Sequence, residues 1–134
     1  MRMEILSISI DKEALTRLKG IQKRLGFKSR SKMLQSAILS MLKDYEALEA
    51  LRGNVESIFV LTYRESEKNH VSDIFHRFED TIKSELHQHH HGKGVSILSI
   101  DASADRTREF FRILRGSKCV YSVTYAITEQ RITE

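Results

Sequence analysis

The 134 residues contain no proline, no tryptophan and a single cysteine. With one thiol, Cys119, the chain cannot close an intramolecular disulfide, so its core must be held by packing, by subunit contacts or by a bound ligand. The absence of proline leaves no rigid linker to mark a domain boundary. Long apolar runs are missing as well. No stretch approaches the roughly 20 residues needed to span a bilayer, and Met1-Arg2-Met3-Glu4-Ile5 alternates into polar residues where a signal peptide needs a continuous apolar run. These absences point to the cytoplasm and to no membrane partner. Catalytic motifs are wanting too: there is no Walker-type loop, no Gly-x-Ser-x-Gly elbow and no His-Glu-x-x-His helix, and an enzyme is not expected.

What is present describes a foldable chain, 40% hydrophobic and 30% charged. The charge is unevenly spread. Residues 1–53 hold eleven Lys/Arg against six Asp/Glu, a balance of +5, and residues 54–134 hold eleven against twelve, a balance of −1. A basic half joined to a near-neutral one fits a polyanion-binding module attached to a module of another kind.

In the basic half, residues 5–10 alternate as a strand, with Leu6, Ile8 and Ile10 on one face and Ile5, Ser7 and Ser9 on the other. Asp11 is placed to cap a helix whose apolar positions Ala14, Leu15, Leu18, Ile21 and Leu25 recur at helical spacing until Gly26. After Phe27-Lys28, Ser29 can cap a second helix with Met33, Leu34, Ala37, Ile38, Met41, Leu42 and Tyr45 on one side. One strand and two helices in under fifty residues have no sheet partner and little core. A second copy supplies both: two strands pair antiparallel and four helices interlock, a ribbon-helix-helix (βαα) domain over residues 1–50. The ribbon's outer face would then present Ile5, Ser7 and Ser9 to the major groove of double-stranded DNA. Lys28 and the helix start Ser29-Arg30-Ser31-Lys32 gather free N–H groups, hydroxyls and cations toward a phosphate.

The segment from Leu42 to Asn54 is read as the second helix running into a linker around Gly53, a candidate hinge. Beyond it the pattern predicts a strand over 57–63, a helix over 67–82, a strand over 84–91, a turn at Gly92-Lys93-Gly94 and a strand over 95–100. A helix capped by Ser103 that buries Phe110, Phe111 and Leu114 and a last strand over 119–127 complete the pattern. This β-α-β-β-α-β order predicts a ferredoxin-like α+β domain over residues 55–130, one four-stranded sheet with both helices on one face. Cys119, in an apolar strand, reads as inert core.

Four of the six histidines lie within His87-Gln88-His89-His90-His91. Strand alternation puts His87, His89 and His91 on one face at roughly 6–7 Å intervals, close enough to share a divalent ion such as zinc, copper, nickel or iron. An exposed polar face on an edge strand is the alternative. His76 lies near the edge of the preceding helix's apolar stripe, with Glu79 three residues on as a further ligand or as a partner fixing its tautomer.

Taken together, the amino-terminal strand, Gly26-Phe27-Lys28-Ser29-Arg30-Ser31, and the helix bearing His76 followed by His87-Gln88-His89 resemble the nickel-responsive transcriptional repressor family, over nearly the whole chain. The resemblance implies ribbon-helix-helix dimers at the ends of a homotetramer, a dimer of dimers built on ferredoxin-like (ACT-like) domains, with metal between subunits favouring operator binding. It implies base contacts by Ile5, Ser7 and Ser9, and a site using His87 and His89 of one subunit with His76 of its neighbour. The family's cysteine ligand falls at Val95, which cannot ligate, so zinc, cobalt or copper become as plausible as nickel. The family's acidic cation ligands near the DNA fall at Lys32 and Ser36, where no cation is expected. Two other readings stay open: a regulator sensing an oxyanion through the histidines with Arg77 or Lys93, and a metal-binding scaffold whose basic half binds no specific sequence.

Overall fold

The computed structural model describes residues 2–132, and the chain divides between Glu46 and Ala47 into two compact units. In the amino-terminal unit the local signals act as read. Asp11 accepts from the Ala14 N–H at 2.8 Å and starts α1 (Lys12–Leu25). Gly26, at φ 75°, ends it in the left-handed region, with the Phe27 N–H returning to the Gln22 carbonyl at 3.1 Å. Ser29 Oγ then accepts from the Lys32 N–H at 3.1 Å to open α2 (Arg30–Glu49).

These helices are well capped but poorly covered. No residue of α1 is buried, and of the apolar positions read on α2 only Met33 is, while Ile38, Met41, Leu42 and Tyr45 are exposed. Residues 2–10, expected as a strand, have no regular structure in the single chain, where no ladder partner satisfies their backbone. Among the described residues, twelve of the sixteen exposed large apolar side chains belong to this unit, with Ile5 at 98% exposure.

The second unit is α+β, built on a four-stranded antiparallel sheet. Its elements are β1 (Asn54–Arg64), a 3-10 turn (Glu65–Glu67), α3 (Lys68–Arg77), β2 (Ile82–His90), β3 (Lys93–Ser103), α4 (Ala104–Gly116) and β4 (Val120–Arg131), with strand order β2-β3-β1-β4. Val55, Phe59, Leu61 and Tyr63 alternate toward the helix side on β1, as do Leu98, Ile100 and Ala102 on β3. Phe110 of α4 sits at the centre, its ring 4.8 Å from Phe78 and 5.1 Å from Phe59. Burying such a side chain contributes about 2–3 kcal/mol. Phe111, expected in the core, is only partly buried, edge-on to Tyr125 at 5.3 Å.

Several boundaries differ from the sequence reading. Helix α3 ends at Arg77 rather than 82, because the Arg106 guanidinium takes the Arg77 carbonyl at 2.7 Å and lies over the Phe78 ring at 4.1 Å. Ile82 therefore begins a strand. The hairpin turn is His91-Gly92, at φ 50° and 78°, with His90 paired to Lys93, so the turn precedes the predicted Gly92-Lys93-Gly94. Gly53 is no free hinge: at φ +72° its backbone lies so close to β4 that a Cβ would stand 2.1 Å from the Arg131 carbonyl oxygen. Its own carbonyl accepts from the Ala104 N–H at 2.9 Å. The end of α2 is fixed as well, since Arg108 donates to the Leu48 and Leu51 carbonyls at 3.1 and 3.0 Å.

Gly53→Ala should therefore lower stability by more than the about 1–3 kcal/mol that left-handed strain alone costs. Gly92→Ala, at φ +78° with open space where its Cβ would go, carries the strain without the collision. Urea denaturation of the two variants should place the Gly53→Ala midpoint clearly lower; coincident midpoints would contradict the clamp.

Candidate metal centre and nucleic-acid interface

Register decides which histidines share a face. On the edge strand β2, His87 pairs with Ser96 and His89 with Gly94, both on the helix-covered side, while Gln88 pairs with Val95 and His90 with Lys93 on the other. His91 lies in the turn, its ring edge-on to His90 at 3.9 Å, and does not share the face of His87 and His89. Val95 likewise points away from the pair; the β3 residues beside the two histidines are Gly94 and Ser96.

The absence of a side chain at Gly94 shapes the site. A Cβ there would meet the Tyr63 ring at 2.4 Å and Glu65 Oε2 at 2.8 Å, so the tyrosine ring occupies that space. Its hydroxyl lies 2.8 Å from His87 Nδ1 and 3.1 Å from Ser96 Oγ. The rings of Tyr63, His87 and His89 follow one another at 6.0 Å centroid steps, tilted by only 22° and 29°. Burial pushes the Tyr63 phenol above its ordinary pKa; the Ser96 hydrogen bond opposes this, and the nearby Glu65 and Glu85 charges reinforce it. The phenol thus keeps its proton at neutral pH. The phenol therefore bridges the Ser96 hydroxyl and the His87 ring, holding the imidazole through Nδ1.

The other ring nitrogen, His87 Nε2, is buried and without a hydrogen-bond partner. Glu65 Oε1 stands 3.8 Å away, too far for a hydrogen bond, and Glu65 Oε2 is also buried and unpartnered. An imidazole held through one nitrogen, with the other presented beside a carboxylate, is an arrangement that suits a metal ligand. His89 is exposed.

His76, near the end of α3, is also exposed, with Nδ1 3.2 Å from Glu79 Oε2. It lines an open cavity of about 280 Å³ with Phe75, Glu79, Ile82 and Glu85. The ligand atoms of His76, His87 and His89 do not all come within 4.8 Å of one another in a single chain; among the described residues only Glu67, His70 and Cys119 do so as a group. Cys119, read as core in a strand, packs against the core's edge but is only half-buried, in the turn ahead of β4, with Sγ 3.6 Å from Glu67 Oε2. The spacing of Glu67 and His70 on a helix start was visible in the sequence, but the approach of Cys119 depends on the fold.

In the amino-terminal unit, Ile5, Ser7, Ser9, Lys28, Arg30, Ser31 and Lys32 are exposed, and Ser29 is half-buried with its hydroxyl committed to the cap. Ile8, Ser9, Ile10, Leu15, Leu18, Arg30 and Leu34 line an open cavity of about 430 Å³. Among the described residues no helix is long and apolar enough to cross a membrane.

No family model matches the chain. A protein of Methanococcoides burtonii named "Putative nickel-responsive regulator" is 25% identical over 119 residues, covering 86% of this chain and 85% of its own length. One from Methanosarcina acetivorans, named as number 3 of the same kind, is 24% identical over 132 residues, 93% of this chain and 94% of its own. Both are named for regulation, not catalysis. Among solved structures, an uncharacterized protein of Thermotoga maritima aligns over 57% of this chain and all of its own, at TM-score 0.53 and 15% identity, a likeness of fold alone. The ACT domain from GTP pyrophosphokinase of Chlorobium tepidum aligns over 55% of this chain and all of its own, at TM-score 0.49 and 14% identity.

The hydrogen-bond chain makes Tyr63 the anchor of the His87 ring. Tyr63→Phe, which removes the partner 2.8 Å from Nδ1, should change the nitrogen-15 signature of the His87 ring; an unchanged signature would contradict the arrangement.

Proposed function

We propose that this chain is a metal-responsive, DNA-binding transcriptional regulator, a repressor, that works as a homo-oligomer. The observation that carries the sensor half is the His87 ring, locked by Tyr63 through Nδ1 with Nε2 buried and unsatisfied. An unpaired buried polar atom costs about 1–3 kcal/mol, and a divalent transition metal would remove that cost. His87 and His89 of one copy, with His76 of a second, form the proposed ligand set; the exposure of His76 fits a ligand that serves a neighbouring chain. Glu79, beside His76, serves as its outer-shell partner. The names of the relatives favour nickel, and a face of imidazoles without thiolate also accepts zinc, cobalt or copper.

The DNA half of the proposal rests on the uncovered apolar surface of the amino-terminal unit. In residues 1–50, pairing of the 5–10 segments from two copies would satisfy their backbone and fill the slot lined by Ile8, Ile10, Leu15, Leu18 and Leu34. The outer face of that ribbon carries Ile5, Ser7 and Ser9 to base edges, while Lys28, Arg30, Ser31 and Lys32 meet phosphates. Residues 55–130 sense the metal and join two such dimers. Metal between subunits would hold the dimers at the spacing of two half-sites, so that binding at one raises effective concentration at the other.

Metal analysis of untagged protein, with operator-library selection in the presence and absence of chelator, tests this reading. The expected result is stoichiometric metal and sequence-specific binding that chelator removes and that the double variant His87→Ala, His89→Ala lacks. Specific binding that responds to phosphate-like anions and not to metals would replace the metal by an oxyanion held with Arg77 or Lys93. Binding without sequence preference that collapses with salt would leave a scaffold.

The interface residues make separate demands. Arg30→Ala and Lys32→Ala should each weaken binding to all sequences alike and flatten the salt dependence by about one unit of slope. Ser7→Ala and Ser9→Ala should instead alter which sequence is preferred, leaving the salt slope unchanged.

A further inference from the structure

Three chemically different metal ligands from separate parts of the chain meet at the far end of the 3-10 turn from Glu65. Glu67 is the last residue of that turn, His70 lies in the first turn of α3, and Cys119 sits in the loop entering β4. One carboxylate oxygen, one ring nitrogen and the sulfur all lie within 4.8 Å of one another. The sulfur approaches Glu67 Oε2 to 3.6 Å. The cysteine backbone is fixed: its N–H donates to Ser117 Oγ at 3.3 Å, and its carbonyl accepts from the Arg64 N–H at 3.3 Å. A bulge at the Thr62/Tyr63 register, where β4 passes from Ser122 to Val120, turns this end of the strand.

We propose that Glu67, His70 and Cys119 form a transition-metal site, separate from the histidine strand, for an ion of the zinc class bound by one carboxylate, one imidazole and one thiolate. Borderline ions take this mixture of oxygen, nitrogen and sulfur, and three protein ligands leave a fourth tetrahedral position to water. Among the described residues the half-buried Glu67 carboxylate makes no ion pair. The nearby Arg64 charge interacts with Glu67 without pairing with it, its guanidinium donating to the Tyr121 hydroxyl at 3.2 Å. A divalent cation would be balanced by the carboxylate and the thiolate, with the thiol proton released to solvent on binding. His70 is exposed, which leaves the ion a way in.

Cobalt(II) titration of the metal-free full-length protein separates this site from the histidine strand, because only a sulfur ligand gives a thiolate-to-cobalt charge-transfer band. The band should appear with one cobalt per chain, persist in the His87→Ala, His89→Ala variant and vanish in Cys119→Ser. Glu67→Gln and His70→Ala, each with far-ultraviolet circular dichroism unchanged, should weaken the cobalt affinity behind it by at least about tenfold, the lower bound seen even for outer-shell partners. A missing band in the unaltered protein overturns the proposal. So does a band of unchanged affinity in both Glu67→Gln and His70→Ala, which would mark a thiol binding cobalt on its own. Because the double histidine variant is read in the same titration, failure at one site is distinguishable from failure at the other.

Discussion

The approach of the Tyr63 ring to the backbone of Gly94 is the contact on which the candidate site of the carboxyl-terminal unit depends. Tyr63 closes the inward row of β1, and its ring lies where any side chain at position 94 would be. That position fixes three things together. It buries the last aromatic of the β1 row, it holds β1 against β3 with Tyr63 opposite Gly94, and it brings a phenol to His87 Nδ1. The order of priority is energetic. Burying the ring contributes a few kcal/mol, whereas the hydrogen bond to His87 adds about 1 kcal/mol. Packing therefore sets the geometry and the polar network inherits it, so the histidine is positioned by the core and not by its own exposed strand.

The two units stand in opposite thermodynamic positions. The carboxyl-terminal unit buries a continuous aromatic and aliphatic core around Phe59, Phe78 and Phe110. The amino-terminal unit buries one residue of its long apolar helix face, Met33, and leaves Ile5, Leu6 and Ile8 in solvent. A unit of that size with so little covered is marginal alone, since backbone ordering costs about 1–2 kcal/mol per residue before any burial offsets it. Its stability should accordingly be a property of assembly and depend on protomer concentration. For the proposed function this has a consequence: the surface proposed to contact DNA would be completed by the same event that completes the core.

What was legible in the sequence was local. Asp11, Gly26, Ser29 and Ser103 declare helix ends through bonds to residues three or four positions away, and each acts in the structure as read. Apolar patterning over 57–63 and 95–100 announced β1 and β3 for the same reason, although both strands run further than read. The errors fall where distant residues decide. Arg106 terminates α3 across a gap of 29 residues, and no glycine or proline announces that stop. Gly53 looked like a hinge because glycine permits motion, but here it permits contact, with β4 packed against it. The hairpin shows a third kind of failure: three candidate turn residues, Gly92, Lys93 and Gly94, masked the two-residue turn that starts at His91, and this shift removed His91 from the proposed ligand face. Cys119 packs against the core as its apolar neighbours suggest, but those neighbours say nothing about a carboxylate that arrives from 52 residues away.

The 3-10 turn joins these observations. Its first residue, Glu65, faces His87 at 3.8 Å, and its last, Glu67, meets Cys119 at 3.6 Å. Only Ser66 separates them. The turn is held to the β2–β3 hairpin by the Glu65 N–H, which donates to the Gly92 carbonyl at 2.9 Å. An ion drawing on Glu67 would restrict the backbone that also carries Glu65, and the ordering cost met at one end would not have to be met again at the other. Such a linkage is reciprocal by thermodynamic necessity: whatever factor a thiolate-bound ion adds to affinity at the histidine strand, a histidine-bound ion adds in return.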